Sequence, residues 1–129
     1  MKVAFTTSDG THVDVNFDPA KTIDVYEVTK DGFNFVETLT FEEDSKEAFQ
    51  EGKLTPKMEA VLDCKIIYLK AVSKPVGNTL MKQGVTLVRV QEYDTVPEIL
   101  YALVKSINGT APPMLRKVIE AEREKVANS

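Results

Sequence analysis

Apolar residues in the first half of the chain form short runs and alternations that are typical of β-strands. Residues 3–6 are almost continuously apolar, as expected of a strand that is buried on both faces. Val13, Val15 and Phe17 alternate with polar residues, and this pattern predicts a half-buried second strand that ends at Asp18-Pro19.

A hairpin is predicted next. Residues 23–28 have strand character, and Asp31-Gly32 is a favoured two-residue hairpin turn. Residues 33–41 then predict a long strand. Its alternation slips by one residue near Val36, which indicates a β-bulge. The polar residues 42–55 predict either a short helix that ends at Gly52 or a mobile loop.

Strands and helices alternate in the second half of the chain. Thr55-Pro56 is a typical helix start, and this helix is predicted to run to about residue 62. Residues 65–69 predict a buried strand. A second helix is predicted to begin at Ser73 and to end at Gly84, and residues 86–90 alternate as a strand.

The last third of the chain is predicted to be mostly helical. Thr95 and Glu98 form a capping box ahead of a helix that ends at Gly109. Pro112-Pro113 then separates a final amphipathic helix, whose charged end after about residue 120 could fray. We therefore expect one domain over residues 1–129. The element order predicts an α/β, ribonuclease H-like three-layer fold, with a mixed five-stranded sheet flanked by helices.

Composition and charge narrow the functional classes. The formal net charge is -4, which argues against a nucleic-acid binder that depends on a basic face. The single cysteine, Cys64, cannot form an intramolecular disulfide and suits a reducing compartment. The sequence shows neither a secretory signal nor an apolar run of membrane-spanning length, so we expect a cytoplasmic protein.

Motifs for catalysis are missing from the sequence. It has one histidine and one cysteine, and neither Ser8 nor Cys64 lies in a nucleophile-elbow motif. No phosphate-binding or dinucleotide glycine motif and no zinc-type cysteine pair occurs. The first strand carries no carboxylate for the divalent metal of a nuclease. We expect a protein that is not an enzyme.

Three features could bind a ligand, and each also has an ordinary structural interpretation. His12 is either a solvated loop residue or a metal ligand. Cys64 is either a small buried apolar residue or, as a thiolate, a soft ligand for iron-sulfur material. The segment from Lys70 to Asn78, which includes Ser73 and Lys74, is either an ordinary strand-to-helix connection or a docking place for an anion.

Six segments, in order and at similar spacing, resemble the dinitrogenase iron-molybdenum cofactor-binding family. They are KVAFTTSDG at 2–10, HVD at 12–14, IDVYEV at 23–28, DCKIIY at 63–68, NTLMKQGV at 78–85 and PPMLRKVI at 112–119. The last of these is closest to one branch of the family. Together the segments span most of the chain.

The resemblance implies a function in nitrogen fixation. Members of this family bind the iron-molybdenum cofactor or its iron-sulfur precursor and pass it between assembly proteins. It therefore implies a carrier, and we expect this carrier to be a monomer. Its partners would be a NifB-like donor, a NifEN-like scaffold or apo-dinitrogenase. Candidate cofactor-binding residues are His12, Asn16, Ser73 and Lys74, and candidate metal ligands are His12 and Cys64.

One position departs from the family pattern. The family commonly has a His-Phe-Gly motif after the opening loop, whereas the aligned residues here are Asn16, Phe17 and Asp18. Asn16 thus occupies the place of the expected cluster ligand. His12, four residues earlier, is the candidate substitute. The alternative hypothesis is a cluster-independent escort or regulator of apo-dinitrogenase or of the assembly scaffold.

Overall fold

The computed structural model describes residues 1–41, 53–91 and 94–127, with side chains through residue 125. In chain order its elements are strands β1 (Lys2–Thr6), β2 (Thr22–Thr29) and β3 (Gly32–Thr40), helix α1 (Pro56–Ala60), strand β4 (Ile66–Leu69), helix α2 (Lys74–Lys82), strand β5 (Thr86–Arg89), helix α3 (Val96–Asn108), a 3-10 turn (Pro113–Leu115) and helix α4 (Arg116–Ala127).

The five strands form one mixed sheet in the order β3-β2-β1-β4-β5. The β1–β2 and β2–β3 pairs are antiparallel, whereas β1–β4 and β4–β5 are parallel. One face packs against α3 and α4 through a core that includes Phe5, Leu100 and Ile119. The other face packs against α1 and α2 through Met58 and Leu80. The predicted three-layer α/β fold is confirmed.

The β2–β3 hairpin has the predicted bulge, and its turn lies one residue earlier than predicted: the two-residue loop is Lys30-Asp31, and Gly32 begins β3. Val25 lies opposite Glu37, whereas the next residue of β2, Tyr26, lies opposite Phe35. Val36 is therefore the extra residue, as the slip in the hydrophobic alternation indicated.

The prediction of a strand over residues 13–17 is wrong. Residues 7–21 form a long connection between β1 and β2, and the pairing described within it is an isolated bridge between His12 and Thr95. Val13 and Phe17 are nonetheless buried. The alternation arises because these two side chains anchor a surface loop in the core, and not because the segment joins the sheet.

Helix boundaries follow the predicted capping signals. The Thr95 hydroxyl accepts a hydrogen bond from the Glu98 backbone N–H, so Thr95 caps α3 as predicted. The Glu98 carboxylate accepts from the Thr95 hydroxyl at 3.0 Å and not from the Thr95 backbone N–H that a capping box requires. Gly84, with a φ of 89°, follows the end of α2.

The two alternatives predicted for the polar segment, a short helix that ends at Gly52 or a mobile loop, fall on residues 42–52, which lie outside the described residues. Of the helices described, none is both long enough and apolar enough to cross a membrane.

Candidate functional site

The carboxyl ends of β1, β4 and β5 meet at one edge of the sheet. Three connections leave from this edge, and their described parts are residues 7–21, 70–73, and 90–91 with 94–95. The crevice outside the carboxyl ends of parallel strands is the usual ligand-binding position in open α/β sheets. Four of the five candidate residues named from the sequence, His12, Asn16, Ser73 and Lys74, lie on these connections or immediately after them.

Backbone hydrogen bonds join the first connection to the second. The Lys70 N–H donates to the Val15 carbonyl at 3.3 Å, and the Phe17 N–H donates to the Ala71 carbonyl at 2.8 Å. Asn16 lies between these two bonded residues and is exposed. Its backbone is therefore held beside the strand-to-helix connection, while its side chain is accessible to a ligand.

Lys57 of α1 holds the same loop from the other side. Its Nζ donates to the Phe17 carbonyl at 3.3 Å and to the Asp18 carbonyl at 2.9 Å. It also lies over the rings of Phe17 and Phe41, at 5.8 and 5.5 Å from their centroids. Burial lowers the pKa of the Lys57 amine. Lys57 thus fixes the loop that carries Asn16.

The start of α2 already holds an anionic group of the protein itself. The Asp18 carboxylate accepts a hydrogen bond from the Ser73 N–H at 2.8 Å and another from the Ser73 hydroxyl at 2.7 Å. The Ser73 hydroxyl makes no cap of its own helix. An external anion would therefore bind beside Asp18, near the exposed Lys70 and Lys74, or would displace the Asp18 carboxylate.

His12 is oriented by a neighbouring carboxylate. Its side chain is 54% exposed, and Nδ1 donates to Asp9 Oδ2 at 2.7 Å. The other oxygen of Asp9 accepts from the backbone N–H groups of Thr11 and His12, at 2.7 and 2.8 Å. The hydrogen bond from the His12 side chain, together with those from the two backbone N–H groups, lowers the pKa of Asp9. The Asp9 carboxylate in turn raises the pKa of His12.

The contact with Asp9 decides which nitrogen of His12 can bind a metal. When Nδ1 carries the proton that Asp9 accepts, the lone pair of the neutral ring lies on Nε2. Metal-binding histidines in proteins are commonly held in this way by a carboxylate on the second nitrogen. The His12 Nε2 is thus suited to binding one metal atom at the edge of the crevice.

Cys64 lies at the opposite end of the sheet. It is 1% exposed in the turn before β4, and the next residue, Lys65, donates its N–H to the carbonyl of Lys2 at the start of β1. Burial raises the pKa of the Cys64 thiol to about 12. His12 follows the far end of β1, so the two side chains are separated by at least the length of that strand, roughly 15 Å.

The structure does not bring the candidate residues together as a closed metal site. In the described ranges, no three His, Cys, Asp or Glu side chains form a group that could hold a metal ion. Asp9, Asp18 and Lys57, which orient the site, were not identified from the sequence. The Asp9-x-x-His12 spacing in a turn was an available signal, whereas the contact of Asp18 with Ser73, 55 residues later, has no local signal.

Comparison with known proteins supports one family. The family model "Dinitrogenase iron-molybdenum cofactor" matches residues 1–106. Protein NifX of Herbaspirillum seropedicae is 35% identical over 99% of this chain and 88% of its own length. Protein NifX of Rhodobacter capsulatus is 30% identical over 92% of this chain and 77% of its length. NifX is the branch that the 112–119 segment resembles.

A solved structure also shares the fold. The crystal structure of PH0822 superposes with a TM-score of 0.62 and covers 82% of this chain and 92% of that chain. The sequence identity is 14%, so this likeness concerns the fold alone.

Proposed function

Since the chain belongs to the dinitrogenase iron-molybdenum cofactor family, we propose that it carries the iron-molybdenum cofactor or its iron-sulfur precursor during nitrogenase cofactor assembly. The observation that supports this proposal most directly is the Asp9–His12 pair. The Asp9 carboxylate favours the neutral tautomer with its proton on Nδ1, which leaves Nε2 of a half-exposed imidazole as the ligand at the edge where open α/β sheets usually bind ligands.

The other residues at this edge suit an anionic cluster. Lys70 and Lys74 are exposed cations on the connection from β4 to α2 and at the start of α2. The Asn16 amide, in the place of the family histidine, is a poor iron ligand but can donate hydrogen bonds to cluster sulfides. Asn16, Ser73 and Lys74 would therefore orient the cargo, and His12 would ligate it.

Sparse ligation fits a transfer function. A cluster held by one imidazole and a few hydrogen bonds dissociates more easily than one held by several thiolates. The cargo would arrive from a NifB-like donor and leave for a NifEN-like scaffold or apo-dinitrogenase, and the carrier would itself catalyse no reaction. Cys64 fits this proposal poorly, because its thiol is buried at the other end of the sheet and hard to ionise.

Anaerobic transfer tests the carrier function. The chain is incubated with a loaded NifB-like donor and reisolated by gel filtration, and its iron content and visible absorbance are measured. We expect cluster iron to co-elute with the wild type and with Cys64→Ala, and to be strongly reduced in His12→Ala. The carrier function is rejected if the wild-type chain retains no iron.

A cluster-independent escort is the second candidate, and an exposed aromatic surface favours it. Phe35 and Tyr101 are 56% and 69% exposed, and Phe33 makes an edge contact with Tyr101 at 5.3 Å between ring centroids. Exposed aromatic side chains of this kind are enriched in protein interfaces.

Pull-down with metal-free protein tests the escort function. Capture of apo-dinitrogenase or of the scaffold would support it, provided that Phe35→Ser or Tyr101→Ser reduces the captured amount. Met81→Ser changes an equally exposed apolar side chain on α2 and serves as the matched control. Failure of the metal-free wild type to capture either partner would remove this candidate.

A further inference from the structure

A groove on the α3 face of the sheet adjoins the site described above, since Asp94 of the third connection lines it. It has a volume of about 360 Å³ and lies between α3, the 3-10 turn and the side chain of Tyr68 in β4. Small-molecule sites in proteins typically occupy roughly 300–1,000 Å³. His12, Asn16, Ser73 and Lys74 do not line it.

The floor of this groove includes a tyrosine whose hydroxyl has no hydrogen-bond partner in the part of the chain that the structure describes. Tyr68 is 4% exposed, and its ring stacks on Phe5 with centroids 5.0 Å apart and planes 10° from parallel. Within the described residues the Tyr68 hydroxyl makes no hydrogen bond. No side-chain oxygen there is both fully buried and unpaired, so the hydroxyl keeps some exposed surface, and Tyr68 lines the groove.

Burial without a hydrogen bond leaves this hydroxyl poorly solvated. Burial raises the pKa of Tyr68, and no hydrogen bond contributes to that shift. A polar group with little exposed surface and no partner among the described residues depends on the few water molecules that reach it. A ligand in the groove would supply the missing hydrogen bond.

The walls of the groove are apolar and its mouth is acidic. Ile99, Leu103 and Leu115 contribute aliphatic side chains. Asp94 and Glu98, both exposed, also line the groove. The Glu98 carboxylate is held in place because Oε1 accepts the hydrogen bond from Thr95 at 3.0 Å.

We propose that this groove binds a small organic cation, namely an ammonium group on an apolar body. The body would pack against Ile99, Leu103 and Leu115 and bring a hydrogen-bonding group to Tyr68. The ammonium group would lie near Asp94 and Glu98, because opposite charge at a pocket mouth favours a cationic ligand over an anionic one.

A matched series of probes tests this proposal on the metal-free full chain. Benzylamine, benzyl alcohol and benzoate share one ring and differ in charge. Each is titrated to about 10 mM, a range that detects weak fragment binding, while amide resonances are followed by NMR. We expect benzylamine to shift the amides of Ala102, Leu103 and Ser106, and benzoate to leave them unchanged.

Two substitutions in the groove locate the contacts, and a third outside it is the control. Tyr68→Phe removes the hydroxyl and keeps the ring, and should weaken benzylamine binding about threefold to tenfold. Tyr101→Phe makes the same change on an α3 residue that does not line the groove, and should leave the affinity unchanged. Glu98→Gln should reduce the preference for benzylamine over benzyl alcohol.

Three results would overturn the proposal. They are the absence of shifts at Ala102, Leu103 and Ser106 with benzylamine, equal binding of benzoate, and unchanged affinity in Tyr68→Phe. Because no cluster is present, none of these results bears on the carrier function.

Discussion

The carboxylate of Asp9 holds the imidazole of His12 at 2.7 Å through Nδ1. This contact raises the pKa of His12 and leaves Nε2 as the metal-binding nitrogen of the neutral ring. It is also a local contact, over three residues of one loop, so it can be altered without disturbing the core.

Removing the charge of Asp9 should lower the pKa of His12. In Asp9→Asn the hydrogen bond to Nδ1 weakens and the Coulombic attraction is lost, so the imidazolium form is less favoured. The pKa is measured from the NMR shifts of the single histidine as pH is varied. Asp31→Asn, in the hairpin turn, is the control. An unchanged His12 pKa in Asp9→Asn would contradict the contact.

Cargo retention should fall as the pH is lowered through the His12 pKa. Protons compete with iron for Nε2, and a raised pKa means that this competition begins at a higher pH than for an ordinary histidine. In Asp9→Asn the midpoint of iron loss should move to lower pH. The midpoint is measured from the iron content after gel filtration at a series of pH values. A midpoint that is the same in Asp9→Asn and in the wild type would exclude His12 titration as the cause of iron loss.

The Asp18 carboxylate should weaken anion binding at the start of α2. It accepts two hydrogen bonds from Ser73, so it occupies the positive end of this helix. Asp18→Asn keeps the shape and removes the charge. Sulfate affinity, read from the Ser73 amide shift at constant ionic strength, should rise about twofold to fivefold. Equal sulfate affinity in Asp18→Asn and in the wild type would show that the Asp18 carboxylate does not weaken anion binding at the start of α2.

Lys57 should stabilise the loop that carries Asn16. Lys57→Met keeps most of the apolar stem but loses the hydrogen bonds to the Phe17 and Asp18 carbonyls. We expect about 1 kcal/mol less free energy of unfolding and faster hydrogen exchange at the Phe17 amide. Lys82→Met, on the exposed end of α2, is the matched control. Exchange at Phe17 that matches the wild type would mean that other contacts hold the loop.

The Cys64 thiol should be unreactive in the folded protein. It is 1% exposed, and burial raises its pKa to about 12, so little thiolate forms at neutral pH. Iodoacetamide should modify it only after denaturant is added, as followed by mass spectrometry. Rapid modification of the native chain would contradict the buried placement and would return Cys64 to the set of candidate metal ligands.

The fold was predictable because its signals are local. The hairpin turn, the slip near Val36 and the helix cap at Thr95 each involve neighbouring residues. The bulge and the Thr95 cap are present, and the turn is displaced by one residue, to Lys30-Asp31. The alternation over residues 13–17 gave a wrong strand prediction because Val13 and Phe17 are buried as anchors of a loop. In the sequence, buried loop anchors and inward-facing strand residues show the same alternation.

The candidate site was only partly predictable, because its geometry depends on distant contacts. His12, Asn16, Ser73 and Lys74 could be named from residue type and resemblance. The partners Asp18 and Lys57 reach them across the fold, and only the three-dimensional structure brings them together. Tyr68 reads in the sequence as an ordinary residue of a buried strand.

The single histidine of the chain allows the most direct test of the carrier account. The untagged protein is labelled with 15N-histidine, loaded anaerobically with the paramagnetic cluster and examined by pulsed electron paramagnetic resonance. Because His12 is the only labelled residue, the account predicts a 15N hyperfine coupling of a directly bound nitrogen, and its loss in His12→Ala. Retained cluster iron without any 15N coupling would contradict ligation by His12.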